Sequence, residues 1–131
     1  MDKKQIVVLG GGYAGVHAAK TLHKAFKKHQ DKVEITLIDK NRHHILMTEL
    51  HEVAGNRVEE DSVKISFDRI FSGKMVNVLQ DTIVDIDFKN QRLKGERASY
   101  AYDQLIIGTG ATTADFNIPG VKEHAFYLWS L

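Results

Sequence analysis

Apolar residues along the chain change their period several times, and each change marks an element. Gln5 to Leu9 is a short β-branched run with apolar residues at consecutive positions. That is the pattern of a strand buried on both faces. From Ala14 to about His29 the period becomes helical. Ala18, Leu22, Ala25 and Phe26 fall on one face, and Lys20, Lys24, Lys27 and Lys28 on the other. Lysines in the last turns also complement the negative end of a helix. Val33 to Ile38 reads as a second strand, closed by Asp39. Strand, helix and strand in succession predict a right-handed parallel βαβ unit.

Beyond Asp39 the pattern weakens. Lys40 to Gly55 holds His43, His44 and His51 with intermittent apolar residues, and is expected to be a loop leading into a short helix. Glu59, Glu60 and Asp61 make a small acidic cluster, and Ser66 to Phe71 suits one or two helical turns. Met75 to Leu79 is expected as a third strand. Thr82 to Phe88 then alternates, Lys89-Asn90 suits a turn, and Gln91 to Lys94 and Ala98 to Tyr102 continue an antiparallel meander. Gln104 to Ile107 is a last apolar run, followed by Gly108-Thr109-Gly110. Ile118-Pro119-Gly120 is turn chemistry. The apolar residues Phe126, Tyr127, Leu128 and Trp129 either face a partner domain or are buried in this one.

Composition narrows the function classes. At 131 residues, 43% hydrophobic and 27% charged, the chain suits one folded domain and not a disordered segment. Eighteen Lys and Arg against 17 Asp and Glu give a net charge of +1, so nothing favours nucleic acid or an anionic membrane. With no cysteine there is no disulfide, thiolate metal site or redox dithiol in this sequence. No apolar stretch approaches the ~18 residues of a membrane span. The start, Met1-Asp2-Lys3-Lys4, has no apolar h-region, so no signal peptide is expected.

The strongest chemical feature is Gly10-x-Gly12-x-x-Gly15, standing between a strand and a helix. Gly10 permits a tight turn, Gly12 lets the backbone approach a diphosphate, and Gly15 allows close helix-to-strand packing. The helix N-terminus offers free N–H groups and a positive dipole end. Asp39 closes the next strand 24 residues after Gly15, where a carboxylate meets a ribose hydroxyl. An acid there disfavours a 2′-phosphate, so the dinucleotide is of the NAD or FAD type. The competing reading is a structural turn with a solvated Asp39.

Other clusters are weaker. Three nearby histidines invite a zinc or copper site, but no H-x-x-x-H spacing supports it, and polar lining of a loop is preferred to metal. Glu49 and Glu52 suit a solvated helix face better than an acid–base pair, and the lysine stripe is likewise a solvated face.

The β-meander breaks the regular β-α-β alternation of ordinary nicotinamide dehydrogenases. It leads into Tyr102-Asp103-Gln104-Leu105-Ile106-Ile107-Gly108-Thr109-Gly110-Ala111. This resembles the second motif of the FAD-binding half of the two-dinucleotide-binding-domain flavoproteins, T-x-x-x-x-Y-D-x-L-I-I-A-T-G. Gly108 stands in the usual Ala place, and Ala98 and Ser99 do not supply the usual Thr. The resemblance implies Thr109 and Gly110 beside FAD and the Ile83 main chain at the adenine. Gly10 to Gly15, Asp39 to His44, Thr48 to Glu52 and Ile118 to Phe126 are more narrowly similar to type II NADH dehydrogenases. That similarity implies cofactor contacts from Tyr13, Ala14 and Asn41. It puts Lys40 near the adenosine ribose and Thr48 near the pyrophosphate or flavin ring. Disulfide reductases of the same superfamily carry a Cys pair where His43 to Glu52 stand here, so electrons leave for an external acceptor.

The implied fold is an α/β Rossmann-like parallel sheet with an inserted antiparallel β-meander, incomplete. Residues 1–131 are expected to be the N-terminal part of an FAD-binding domain, without the NADH-binding domain and the C-terminal membrane-association part. The implied activity of the parent is hydride transfer from NADH to FAD, then electron transfer to a membrane quinone. Alternatives are a sulfide:quinone or ferredoxin reductase type, or a non-catalytic dinucleotide-binding module. No catalytic residue is assigned. The fragment alone is expected to be inactive and, with an open sheet edge, prone to homodimerise. It is expected to be cytoplasmic, with the parent peripheral on the cytoplasmic face of the membrane.

Overall fold

The computed structural model describes residues 2–129 and 131. They divide into two compact units. The first comprises the chain through His44 together with Ser66–Gly110, and the second Ile45–Ile65 with Ala111–Leu131.

The predicted βαβ start is present as β1 (Lys4–Leu9), α1 (Tyr13–Phe26) and β2 (Val33–Asp39). The helix stops at Phe26, three residues short of the expected His29, whose N–H bonds back to the Phe26 carbonyl as the chain turns. Its buried residues are Gly15 and Ala19, with Val16, Ala18, Leu22 and Phe26 packed beside them. Ala25, expected on the buried face, is exposed. The reason is steric: two small residues at i and i+4 let the helix approach the sheet most closely along their own stripe.

Next come β3 (His43–Ile45), a 3₁₀ turn at Met47–Glu49, α2 (Leu50–Ala54), a second 3₁₀ turn at Glu60–Val63, and β4 (Lys64–Ser66). β3 and β4 pair as a two-stranded sheet, β3 lying in the Lys40–Gly55 stretch expected to be a loop leading into a short helix, and β4 where no strand is expected. Three residues are too few to display a two-residue period, so neither strand left a signal. Ser66 caps α3 (Phe67–Ile70), its hydroxyl accepting from the Arg69 N–H at 3.2 Å.

The remaining elements are β5 (Asn77–Gln80), β6 (Ile83–Asp87), β7 (Arg92–Gly95), β8 (Ser99–Ala101), β9 (Gln104–Ile107) and α4 (Val121–His124). β5 starts two residues later than expected, since Val76 is drawn into the core before the strand begins. β6, β7 and β8 form the expected antiparallel meander.

β5, β2, β1 and β9 lie side by side in that order, all parallel. Ile6 and Val8 of β1 pack with Ala19, Ile35 and Phe67, while Val7 and Leu9 pack with Ile38, Leu93 and Tyr102. Alternate residues thus serve two cores, which explains the unbroken apolar run. Each such aliphatic side chain contributes about 1.5–3 kcal/mol on burial.

One buried carboxylate organises the junction of sheet and meander. Asp81 is 3% exposed and accepts the N–H groups of Thr82, Arg97 and Ala98 and the hydroxyl of Tyr100, the last at 2.7 Å. Its own N–H donates to the Asp39 carbonyl at 3.0 Å. Gly95 is required there, because a Cβ would lie 2.1 Å from Asp81 Oδ2.

In the second unit, Phe126, Tyr127, Leu128 and Trp129 are exposed rather than buried. The Trp129 indole donates to the Ala111 carbonyl at 2.8 Å.

Candidate functional site

Chain order along the sheet reverses between β1 and β9. In open α/β sheets, ligands bind beyond the carboxyl ends of the strands at such a switch point. Two glycine loops leave the sheet here. Gly10 N–H bonds the Ile38 carbonyl and Gly108 N–H the Leu9 carbonyl, both at 2.8 Å. The loops are in contact, since a Cβ on Gly10 would stand 2.3 Å from the Gly108 oxygen. Gly10 also has a φ of +97°, which only glycine adopts easily.

Two of the three glycines of the motif do the structural work that the spacing predicts. Gly10 makes the turn. Gly15 admits the helix, because a Cβ there would fall 1.7 Å from the Gly10 oxygen. Gly12 caps α1, and a Cβ on it would meet no atom within 4 Å. The backbone is therefore bare at the start of a 14-residue helix whose first N–H groups lack intrahelical partners. Such a place can take an anionic diphosphate.

Gly11 has a role that the sequence did not disclose. A Cβ there would sit 2.1 Å from the ring of Phe67, which is 1% exposed. Nothing in the spacing of residues 11 and 67 announces that contact.

Asp39 is half-buried and braces the same loop. Its Oδ2 accepts the Gly11 N–H and its Oδ1 the Asn41 N–H, each at 2.7 Å. Each carboxylate oxygen has capacity for a second donor, so a ribose hydroxyl remains chemically compatible. Asn41 is half-buried and Lys40 exposed, the Lys40 carbonyl receiving the Gln80 amide at 3.0 Å.

Tyr13 and Ala14 open the helix, and Tyr13 meets the His44 ring edge-on at a centroid distance of 4.8 Å. His44 is buried, with Nδ1 2.9 Å from the Gly11 carbonyl oxygen. A cavity of about 540 Å³ is lined by Tyr13, Ala14, Val16, His17, Lys20 and His44. The sequence offers His44 as loop lining, as a less favoured metal ligand and as the last residue of the Asp39–His44 resemblance, whereas its contact with Gly11 comes from the fold. Among the described residues no group of three His, Cys, Asp or Glu could hold a metal ion.

Thr109 and Gly110 follow β9 and are exposed, Gly110 with a φ of +74°. Ile83 opens β6, half-buried against the meander core. Thr48 belongs to the second unit, on the turn Met47–Glu49. In that unit Glu52 is engaged by His51 at 3.1 Å and Arg57 at 3.4 Å.

The Tyr102-Asp103 pair is structural in its contacts. Tyr102 is buried in the meander core. Asp103 Oδ2 accepts the Gln5 N–H at 2.7 Å and Oδ1 faces Lys4 Nζ at 3.0 Å. The Gln5 N–H first, and then Lys4, hold the Asp103 carboxyl below the ordinary carboxylate range.

A family model described as pyridine nucleotide-disulphide oxidoreductase matches residues 4–130. The Type II NADH:quinone oxidoreductase of Staphylococcus aureus (strain NCTC 8325 / PS 47) is 32% identical over 127 residues, covering 97% of this chain and 31% of the relative. The protein of the same name from Staphylococcus epidermidis gives the same identity and coverage. The chain thus spans less than a third of the length of these curated relatives. Among solved structures, NDH2 from Plasmodium falciparum in complex with NADH superimposes with a TM-score of 0.80 at 22% identity, over 98% of this chain and 27% of that one. The sulfide:quinone oxidoreductase of Aquifex aeolicus gives 0.76 at 21%, over 92% and 27%. At those identities the likeness is one of fold.

Proposed function

The chain belongs to the pyridine nucleotide-disulphide oxidoreductase family, and from that premise we propose that it is the FAD-binding segment of a type II NADH:quinone oxidoreductase. The observation that carries this reading is the contact between the glycine loop after β1 and the Gly108–Gly110 loop after β9 at the switch point of the sheet. An antiparallel meander precedes the second loop, which separates this plan from regular β-α-β nicotinamide domains.

The residues fit the cofactor at the point that matters most. Gly12 leaves open space where a diphosphate must come close to the backbone. In this reading Gly10, Gly12, Tyr13, Ala14 and Gly15 hold the diphosphate, with the positive end of α1 behind them. Asp39 accepts a ribose hydroxyl, helped by Lys40 and Asn41, and its negative charge repels a 2′-phosphate. The Ile83 main chain meets the adenine, and Thr109 and Gly110 line the rest.

The chemistry FAD supplies when bound is two-electron transfer from NADH to an acceptor, in the parent a membrane quinone. This segment has no cysteine, so it holds no internal dithiol to receive those electrons. Its part is to bind and orient. One glycine fingerprint of the GxGxxG kind occurs in the sequence, so the 131-residue chain alone does not oxidise NADH. Among the described residues no helix is long and apolar enough to cross a membrane. The reading puts the parent at the cytoplasmic face as a peripheral protein. β9 stands at the edge of the four-stranded sheet, and pairing of two copies along it is part of the same proposal.

The test is equilibrium titration of the purified chain with FAD and, separately, with NAD, followed by Trp129 fluorescence and flavin absorbance. Saturable binding of FAD in preference to NAD is expected. Preference for NAD would overturn the assignment.

A further inference from the structure

A peptide between two glycines can rotate by half a turn with little steric cost, because neither side carries a Cβ. The Gly11–Gly12 peptide is of this kind, and it stands directly before the helix that receives the diphosphate. Flipped one way it offers an N–H to an anion, and flipped the other way a carbonyl oxygen. An anion-binding loop therefore needs something that decides the orientation.

Side chains from distant parts of the chain hold this peptide and its neighbour. Asp39 Oδ2 accepts the Gly11 N–H at 2.7 Å, which fixes the Gly10–Gly11 peptide. On the other side of the same residue, His44 Nδ1 lies 2.9 Å from the Gly11 carbonyl oxygen. A carbonyl only accepts, so the hydrogen is on Nδ1 and the imidazole is the donor. Phe67 closes the third side, its ring packed where a Gly11 Cβ would be. In a planar trans peptide the C=O and the following N–H point in opposite directions. With the Gly11 carbonyl held by His44, the Gly12 N–H is directed the opposite way, and the space a Gly12 Cβ would enter is open.

We propose that His44 is a positioning residue. By donating from Nδ1 to the Gly11 carbonyl it locks the Gly11–Gly12 peptide in the orientation that presents the Gly12 N–H to the cofactor's diphosphate. This rests on the FAD reading given above. Tyr13, edge-on to the same imidazole at 4.8 Å, keeps the ring in place.

The test separates the donor from the ring. His44→Asn keeps an N–H two bonds from Cβ, as Nδ1 is, but loses the ring. His44→Phe keeps the ring against Tyr13 but loses the donor. The expected result is FAD affinity about tenfold weaker in H44F and within about twofold of the original in H44N, a ratio set by one hydrogen bond to a loop facing an anion. Thermal melts of the ligand-free chains report whether each variant folds. Imidazole ¹⁵N chemical shifts of the unmodified chain are expected to show the Nδ1–H tautomer for His44, independently of any cofactor. H44F binding as tightly as the original overturns the proposal while the FAD reading stands. H44N as weak as H44F also overturns it, since the ring and not the donor then matters. An Nε2–H tautomer overturns it even if H44F does not fold. An unmodified chain that does not bind FAD overturns the functional reading, and the role of His44 with it.

Discussion

Asp39 Oδ2 accepts a hydrogen bond from the backbone N–H of Gly11 at 2.7 Å. The carboxylate that closes β2 thus holds the loop that follows β1, before any ligand is considered. Its other oxygen receives Asn41 N–H, so both oxygens work on the protein itself.

Asp39→Asn replaces one of those acceptor oxygens with an amino group, so either Gly11 or Asn41 presents its N–H to another donor. The expected loss is about 1–3 kcal/mol of stability, or roughly 3–12 °C in Tm. Thermal denaturation of the ligand-free chain checks it. An unchanged melt would show that the carboxylate does not brace the loop.

Gly12→Ala and Gly15→Ala should separate binding from folding. A methyl at position 12 meets nothing within 4 Å, and that residue has an ordinary φ of −72°. The melt should move by no more than about 0.5 kcal/mol in stability, while FAD affinity falls because the methyl stands in the approach to the backbone. A methyl at position 15 would lie 1.7 Å from the Gly10 oxygen. That clash forces helix and loop apart and should cost about 3 kcal/mol or more, read as a sharp fall in Tm or in soluble yield. Equal melts for the two variants would contradict this division.

Asp81 and Tyr100 predict opposite limbs of the stability–pH curve. Burial pushes the Asp81 carboxyl up, but the Tyr100 hydroxyl and the N–H groups of Arg97, Ala98 and Thr82 together outweigh it and hold it below the ordinary 3.8. A carboxyl with a lowered folded pKa stabilises above its unfolded value, and that stability is lost as pH falls through the folded pKa. Burial first, and then the hydrogen bond to Asp81, raise Tyr100 above its ordinary 10.0. Its contribution is complete below that value and is lost as pH rises through the folded pKa. Tyr100→Phe should therefore flatten the alkaline limb above pH 10 and weaken the acid limb below about pH 4. Denaturant melts across pH measure both. Parallel curves for the two proteins would sink the coupling.

Much of the fold is legible in the sequence. The unbroken apolar run of β1 foretold burial on both faces, and Ile6 and Val8 do serve one core while Val7 and Leu9 serve the other. The meander was legible from alternation and the Lys89-Asn90 turn, where Asn90 donates to Asp87 at 2.9 Å. The buried stripe of α1 departs from the expected one at Ala25, which is exposed, because hydropathy does not record which small residues touch the sheet.

The sequence by itself determined the βαβ start, the structural tasks of Gly10 and Gly15, and the standing of Asp39 at the end of β2. These are matters of period, turn geometry and short spacing, where residues near in the chain constrain one another directly. Only the tertiary structure decided what holds the loop in its working shape. Phe67 against Gly11, His44 on the Gly11 carbonyl and the ring of donors around Asp81 join positions brought together by the packing of strands and helices. Contacts of that kind have no period and no fixed spacing, so they leave no pattern in the sequence to read.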